Sequence, residues 1–588
     1  MSGDEDFRIR PGRVRSSGTQ ATRPFIAQAL AAAQKAGGHV SRSGRISAGT
    51  RSTFGRGRTA SVRANHLLTG RSRVVVIKTR VVRHSARATP LTTHLNYLRR
   101  DGVTLAATEG SKSESYDKAY LFGPGETEVD GQAFAERADG DRHHFRFIVS
   151  PEDAADMADL RSFTRDLMGQ MEKDLGTKLD WAAVDHWNTD NPHVHVILRG
   201  RADDGQDLVI ARDYIKDGMR ARAADLVTQE LGPRTDLDIR RSLTAQIDAE
   251  HWTQLDRQLA RDRNAHGIID MAPVTAERPD EFHAQKVGRL RKLETLGLAH
   301  AVGAGQWIID DKAEATLRAL GERGDIIKRM HRALTDRGIE RGSASFVLAG
   351  ESLDDAIVGR LVARGLDDEL KGTAYAVVDG VDGRTHHIRL SNLDAAGDST
   401  PGSIVELRKF DDANGLRRAA LAVRSDYDID RQITASGATW LDRQNIARDP
   451  HALSDGGFGA EVRQALQARA DHLVAQSLAE RRGSQVMFSR GLIETLRSQE
   501  LKQVGHAIAA ETGRPFKTSG TGDYVTGDYR RRLTLASGRF AMIDDGLGFQ
   551  LVPWTPSLEK HLDRHVSGIT RADGGIDWSF ARKRGVGL

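Results

Sequence analysis

Cysteine is absent from all 588 residues. Neither a disulfide nor thiolate-bound zinc can therefore staple any part of this chain. No apolar run approaches the roughly 20 residues of a membrane span. The first residues, MSGDEDFRIRPGRVRSS, contain no apolar segment of the secretory kind. A soluble protein that works inside a cell is the expectation. A G-x-x-x-x-G-K-[ST] phosphate loop is also missing, which argues against an attached helicase or other P-loop motor. No internal repeat is evident in the letters. A chain of this length is too long for one core and calls for roughly three to four domains.

Acid is nearly missing from the first 70 residues, where only Asp4, Glu5 and Asp6 carry it. Arg8, Arg10, Arg13, Arg15, Arg23, Arg42, Arg45, Arg51, Arg56, Arg58 and Arg63 stand there among Gly, Ser and Thr. Such a stretch cannot bury enough apolar surface to order itself, except around Pro24–Ala33. It reads as a basic arm suited to a phosphate backbone, or as a solvated tail with no dedicated partner.

Strand-like alternation begins at Arg73–Val82. A short helix is expected over Leu91–Arg100, with Leu91, Leu95 and Leu98 on one face. His144–Val149 reads as a buried strand. Ser150-Pro151-Glu152-Asp153 then reads as a helix start, with Ser150 as the cap. Leu160, Phe163, Leu167, Met168 and Met171 follow at helical spacing. Two strands are expected at Asp180–His186 and His193–Arg199, joined by a polar loop with an Asn191-Pro192 turn, and a further helix at Asp213–Leu231. The fold class expected is α+β with a largely antiparallel sheet.

One stretch carries chemistry: His186-Trp187-Asn188-Thr189-Asp190-Asn191-Pro192-His193-Val194-His195. Side chains alternate along a strand, so His193 and His195 share a face while Val194, Val196 and Leu198 enter a core. If the two strands pair as a hairpin, His186 lies beside them. Three imidazoles from one sheet face make a competent divalent-metal site that leaves positions open for substrate.

This pattern closely resembles the histidine motif of conjugative relaxases, the mobilisation nucleases of plasmids and integrative elements. Two further motifs fall in that family's order. His94-Leu95-Asn96-Tyr97-Leu98 matches the motif bearing the nucleophilic tyrosine, and Ser150 matches a serine at a strand-to-helix junction. The specific likeness covers about Arg71–Leu237. One departure is Asn188, where the family usually has Asp, which leaves the general base open. The resemblance implies a transesterase that nicks DNA at an origin of transfer, joins its 5′ end to Tyr97, and later rejoins the strand. His186, His193 and His195 would hold Mg²⁺ or Mn²⁺, with His186 alternatively serving as base. His94, Asn188, Asp190 and Ser150 would support the site, and Arg99 and Arg100 would contact phosphates. Tyr116 and Tyr120 are reserve nucleophiles. Implied partners are single-stranded or supercoiled DNA, accessory relaxosome proteins and a secretion-channel coupling protein. Cytoplasmic bacterial localisation is implied, with passage alongside DNA into a recipient cell.

On this reading the chain divides into a basic arm (1–70), a relaxase nuclease domain (71–245) and a helical, winged-helix-like module (246–345). A small β-barrel-like module (346–430), a helical segment (431–515) and a β-rich module with a basic tail (516–588) complete it. The competing readings are a rolling-circle replication initiator, a His-x-His metal-dependent hydrolase, and a DNA-binding protein without catalysis.

Overall fold

The computed structural model describes residues 38–40, 46–48, 71–84, 91–101, 103–105, 116–118, 120–125, 128–187, 191–264, 266–272, 282–348, 357–368, 370–411, 415, 417–520, 522–571 and 574–580. Asn188, Asp190, Pro24–Ala33, most of the basic arm and the basic tail lie outside them, as do the side chains of Tyr97, Arg100 and Tyr116. The chain is mixed α+β and divides into two units, Met1–Ala245 and Gln246–Leu588.

The first unit is built on a four-stranded antiparallel sheet. Its strands are β1 (Val75–Arg83), β2 (His143–Pro151), β3 (Trp181–His186) and β4 (His193–Arg199). Their spatial order is β1-β2-β4-β3. Alternation sends Val75, Ile77, Phe145, Phe147, Val149, Val194, Val196 and Leu198 to one face. There they meet the apolar stripes of helix α3 (Leu160–Leu175) and helix α4 (Met219–Leu231). Each such side chain removed from water contributes roughly 1.5–3 kcal/mol, which fixes the register and hence what projects from the other face. Helix α1 (Leu91–Asp101) buries Leu95 and Leu98. Helix α2 (Gly131–Ala138), capped by Asp130, packs beside α1. The outer edge of β3 is covered where Phe122 bridges Ala183 through two backbone hydrogen bonds of 2.8 and 2.9 Å. Gly200 closes β4 against β2 so tightly that a Cβ there would lie 2.0 Å from the His143 carbonyl oxygen.

The expected helix start at Ser150 is not there. The β1–β2 ladder continues through Val76↔Ser150 and Val75↔Pro151. Proline costs no ladder bond at the end of a strand. The helix begins only at Leu160, and Asp159 caps it by accepting from the amides of Arg161 and Ser162.

The second unit is a tandem duplication that sequence reading missed. Its first copy holds helices Gln254–Asp262 and His283–Thr295, a hairpin of Ala299–Gly303 with Gln306–Ile309, and helix Ala313–Thr335. The second holds helices Trp440–Asn445 and Gly457–Ala475, a hairpin of Ala479–Arg482 with Gln485–Phe488, and helix Leu492–Thr512. In the first copy, Arg289 is fully buried and grips both oxygens of Asp256 at 2.8 and 2.9 Å, together with the carbonyls of Ile247, Ala249 and His251. In the second, Arg469 does the same to Asp442 at 2.7 and 2.9 Å and to the carbonyls of Ile433, Ala435 and Gly437. The acid in each pair also closes a capping box, with Thr253 or Thr439. Gln246 and Gln432 each accept from two amides at the matching place.

Each copy continues into a six-stranded mixed sheet of identical topology. The first runs in space Phe346–Val347, Thr385–Leu390, Thr373–Gly380, Val358–Asp368, Ile404–Asp411, Arg417–Ser425. The second runs Phe516–Lys517, Phe549–Pro553, Gly538–Asp544, Tyr524–Leu535, His565–Thr570, Ile576–Ser579. In both, the short first strand is parallel to its neighbour and the other pairings are antiparallel. The barrel expected at 346–430 is therefore not closed: among the described residues both six-stranded sheets are open. Short strands with turn signals specify hairpins, but not whether the first and last strands meet.

Candidate metal centre

The register that buries Val194 and Val196 places His193 and His195 on the opposite sheet face, and β3 adds His186 directly across from His193. The three rings converge, with centroid separations of 5.4 Å for His186–His193, 4.6 Å for His186–His195 and 4.9 Å for His193–His195. One ligating nitrogen from each lies within 4.8 Å of the others. His186 and His195 are buried, while His193 is half-buried at the rim.

Hydrogen bonds sort the nitrogens. His193 Nδ1 donates to the Asn191 carbonyl at 2.8 Å, which leaves Nε2 with a lone pair. That Nε2 stands 3.1 Å from His195 Nε2. Two nitrogens each about 2.1 Å from a common ion stand roughly 3.0–3.4 Å apart in tetrahedral or octahedral geometry, so the pair fits adjacent ligands. His186 Nε2 donates to the Leu98 carbonyl at 3.2 Å, which frees Nδ1 for the ion. Ring nitrogens held this way by a carbonyl are the usual orienting partners of metal-bound histidine. Burial first, then its neighbour His193, pulls the His186 pKa down to about 4. Burial first, then the other histidines, holds His195 well below its ordinary value. Both are thus neutral at pH 7, as ligation requires. The donor set can hold a metal ion.

The His186–Leu98 bond also docks α1 onto this face. Tyr97 is the residue before Leu98, so the backbone of the candidate nucleophile is tied to the candidate ligand. His94, on the same helix, is buried; desolvation, then the charge of Arg146 and then His144, lower its pKa well below 6.5. It also lies within electrostatic reach of His195. Arg99 is exposed at the end of α1. Ser150 projects from the His195 face of β2, and its hydroxyl donates to the Pro192 carbonyl at 3.5 Å, bracing the turn that carries His193. Tyr120 belongs to the other side. Its hydroxyl accepts from Arg161, whose guanidinium lies 4.1 Å from the ring centroid and also pairs with Asp185. Asp185 alternates away from His186, so Tyr120 does not join the trio.

Three side chains at this face were not singled out from sequence: His84, His144 and Arg146. The pairings Ile148↔His195 and Arg146↔Ile197 put Arg146 and His144 on the same face as His195. The alternation in HFRFIV carried that signal, but only the β2–β4 register says which face it is.

The family described as "Protein of unknown function (DUF3363)" matches residues 286–414 and 407–587, together just over half of the chain. No curated protein and no solved structure matches. No described helix is long and apolar enough to cross a membrane.

Proposed function

The chain belongs to the family described as "Protein of unknown function (DUF3363)", and, since the matched residues begin only at 286, we propose from the geometry of the N-terminal unit that it is a DNA relaxase. On this reading it nicks one strand at the origin of transfer of a plasmid or integrative element. It holds the 5′ end as a phosphotyrosine on Tyr97 and reseals the strand after transfer. The observation that carries the reading is the convergence of His186, His193 and His195 on a sheet face to which the Tyr97-bearing helix is bonded at Leu98.

Cutting with the option of rejoining needs the phosphodiester energy kept in a covalent link, which a protein nucleophile provides. The Tyr97 oxygen forms a bond to phosphorus as the P–O3′ bond breaks. The phenol gives up its proton and the departing 3′ oxygen gains one, so the step is balanced without water. His186, His193 and His195 would hold a divalent ion, which when bound would supply positive charge to the scissile phosphate. Three imidazole donors favour a later transition ion over the harder Mg²⁺, and of the two ions expected from sequence Mn²⁺ is the one with the greater affinity for nitrogen. His186 spends Nε2 on Leu98 and has one nitrogen left, so it can act as ligand or as base but not as both at once, and the trio reading takes it as ligand. With Asn188 in the place of a carboxylate, the general base stays open, with His94 on the Tyr97 helix a candidate that is neutral at pH 7. Single-stranded DNA is the substrate class; relaxosome and coupling proteins follow from the relaxase reading alone.

The test is a denaturing gel after incubation with single-stranded origin DNA and Mn²⁺. Wild type gives a covalent protein–DNA band and Tyr97→Phe gives none, while both bind the DNA. An adduct in Tyr97→Phe removes this tyrosine. No adduct in the wild type removes the enzyme and leaves a DNA-binding protein.

A further inference from the structure

Arg146 is one of three described arginines that are buried, with Arg289 and Arg469. The other two each grip a fully buried carboxylate. Arg146 grips none: among the described residues its one hydrogen bond runs from Nε to His144 Nε2 at 3.1 Å. A guanidinium carries five N–H donors and no acceptor, so His144 Nε2 must accept. His144 Nδ1 then donates to His84 Nε2 at 2.7 Å. Burial first, then Arg146, lowers the His144 pKa to about 3, so this relay adds no negative charge. A buried cation without an anion is costly, so an anionic ligand bound beside it would relieve that cost.

The position fits such a ligand. Arg146 is on the trio's face, one row from His195 along the sheet. His94 lies within electrostatic reach of both Arg146 and His195. On the neighbouring strand Lys78 and Arg80 project from the same face, exposed, and no described acid pairs with either. Arg80 pairs directly with Arg146 across the β1–β2 ladder. Burial first, then Arg80, lowers the Arg146 pKa to about 10, which still leaves it charged at neutral pH.

We propose that Arg146, seconded by Arg80, binds a backbone phosphate of single-stranded DNA next to the one held at the histidine centre, and so sets the position of the strand. This rests on the relaxase reading for its substrate, but not on cleavage. The other source of the same chemistry is free phosphate.

The test uses the full chain in EDTA, where nothing is cut, with a fluorescent single-stranded oligonucleotide titrated at 50 and 200 mM NaCl. Each phosphate contact contributes a slope of about −0.7 in log K against log salt. Wild-type affinity should therefore fall about threefold more across this range than that of Arg146→Gln. Arg80→Gln, at an exposed site, should show a reduced slope too and keeps the proposal testable if Arg146→Gln does not fold. Unchanged slopes in a folded Arg146→Gln, or in Arg80→Gln, overturn it. So does a site that responds to millimolar inorganic phosphate in melting experiments while both variants bind the oligonucleotide like wild type. If no Tyr97 adduct forms yet the slopes fall, the phosphate site stands and the nuclease reading does not. An adduct with unchanged slopes gives the reverse.

Discussion

Replacing His193 by Gln should remove most of the thermal response of the N-terminal unit to Mn²⁺. His193 is the ligand to remove because it is half-buried, so its loss opens no cavity in the core. A ligand that binds only the folded state at 100 times its Kd stabilises by about 2.7 kcal/mol. For a unit of this size each kcal/mol moves the midpoint by about 2–4 °C, so the wild type should gain roughly 5–10 °C. The His193–His195 nitrogen pair at 3.1 Å sets two adjacent coordination positions, and losing one of three donors should weaken binding at least a hundredfold. The same metal concentration then sits near Kd and yields only about 0.4 kcal/mol, a shift of about 1–2 °C. Calorimetric scans with Mn²⁺ and with EDTA read this directly. His300→Gln, on an exposed strand of the other unit, should keep the full shift. An equal shift in His193→Gln would show that the metal sits elsewhere and that the convergence of the trio is incidental.

Deleting Met1–Gly70 should weaken DNA binding about equally across sequences and flatten its salt dependence, because the arginines there stand among residues that shape no base-reading surface; an unchanged salt slope makes the arm a passive tail. Stability in EDTA should fall as pH drops from about 6.5 toward 4. His144 and His186 have depressed folded pKa values, of about 3 and about 4, so the unfolded chain binds more protons in that window, and their contribution is complete only above it. Urea midpoints that hold steady or rise on acidification would contradict this. Asp442→Asn should cost about 3–5 kcal/mol by stranding the Arg469 charge, and Asp256→Asn should do the same to Arg289; a loss under 1 kcal/mol in melting of either would mean that the carbonyls alone satisfy the guanidinium.

The histidine face was legible because Val194, Val196 and Leu198 alternate with His193, His195 and Ile197 over a whole strand, and only one phase buries the apolar set. His186 followed from a short polar loop that returns the chain antiparallel. Ser150 misled because a Ser-Pro pair with acids behind it suits a helix start, whereas ladder pairing to Val76 holds it in the strand. Arg146 was hidden because its meaning depends on which strand lies beside β4. The duplication escaped although Thr-x-Leu-Asp-Arg-Gln recurs at 253–258 and 439–444, because that match is short and stands alone. What survives is a pattern of buried donors and carbonyls spaced along loops, and no hydrophobic period marks it.

A chain that contains the same unit twice can be read against itself. Gly297 and Ser477 occupy the same left-handed corner after their helices, at φ of 70° and 59°. Leu298 and Leu478 follow with the same return bond to Leu293 and Leu473. The backbone frame is the same in both, down to a serine accepting a conformation that favours glycine. The exteriors have parted: one hairpin presents His300, Ala301 and Val302 to solvent, the other Glu480, Arg481 and Arg482. The two copies thus share a frame and differ in what they show to solvent, so within this one unit the same fold offers two unlike faces, one neutral and one basic.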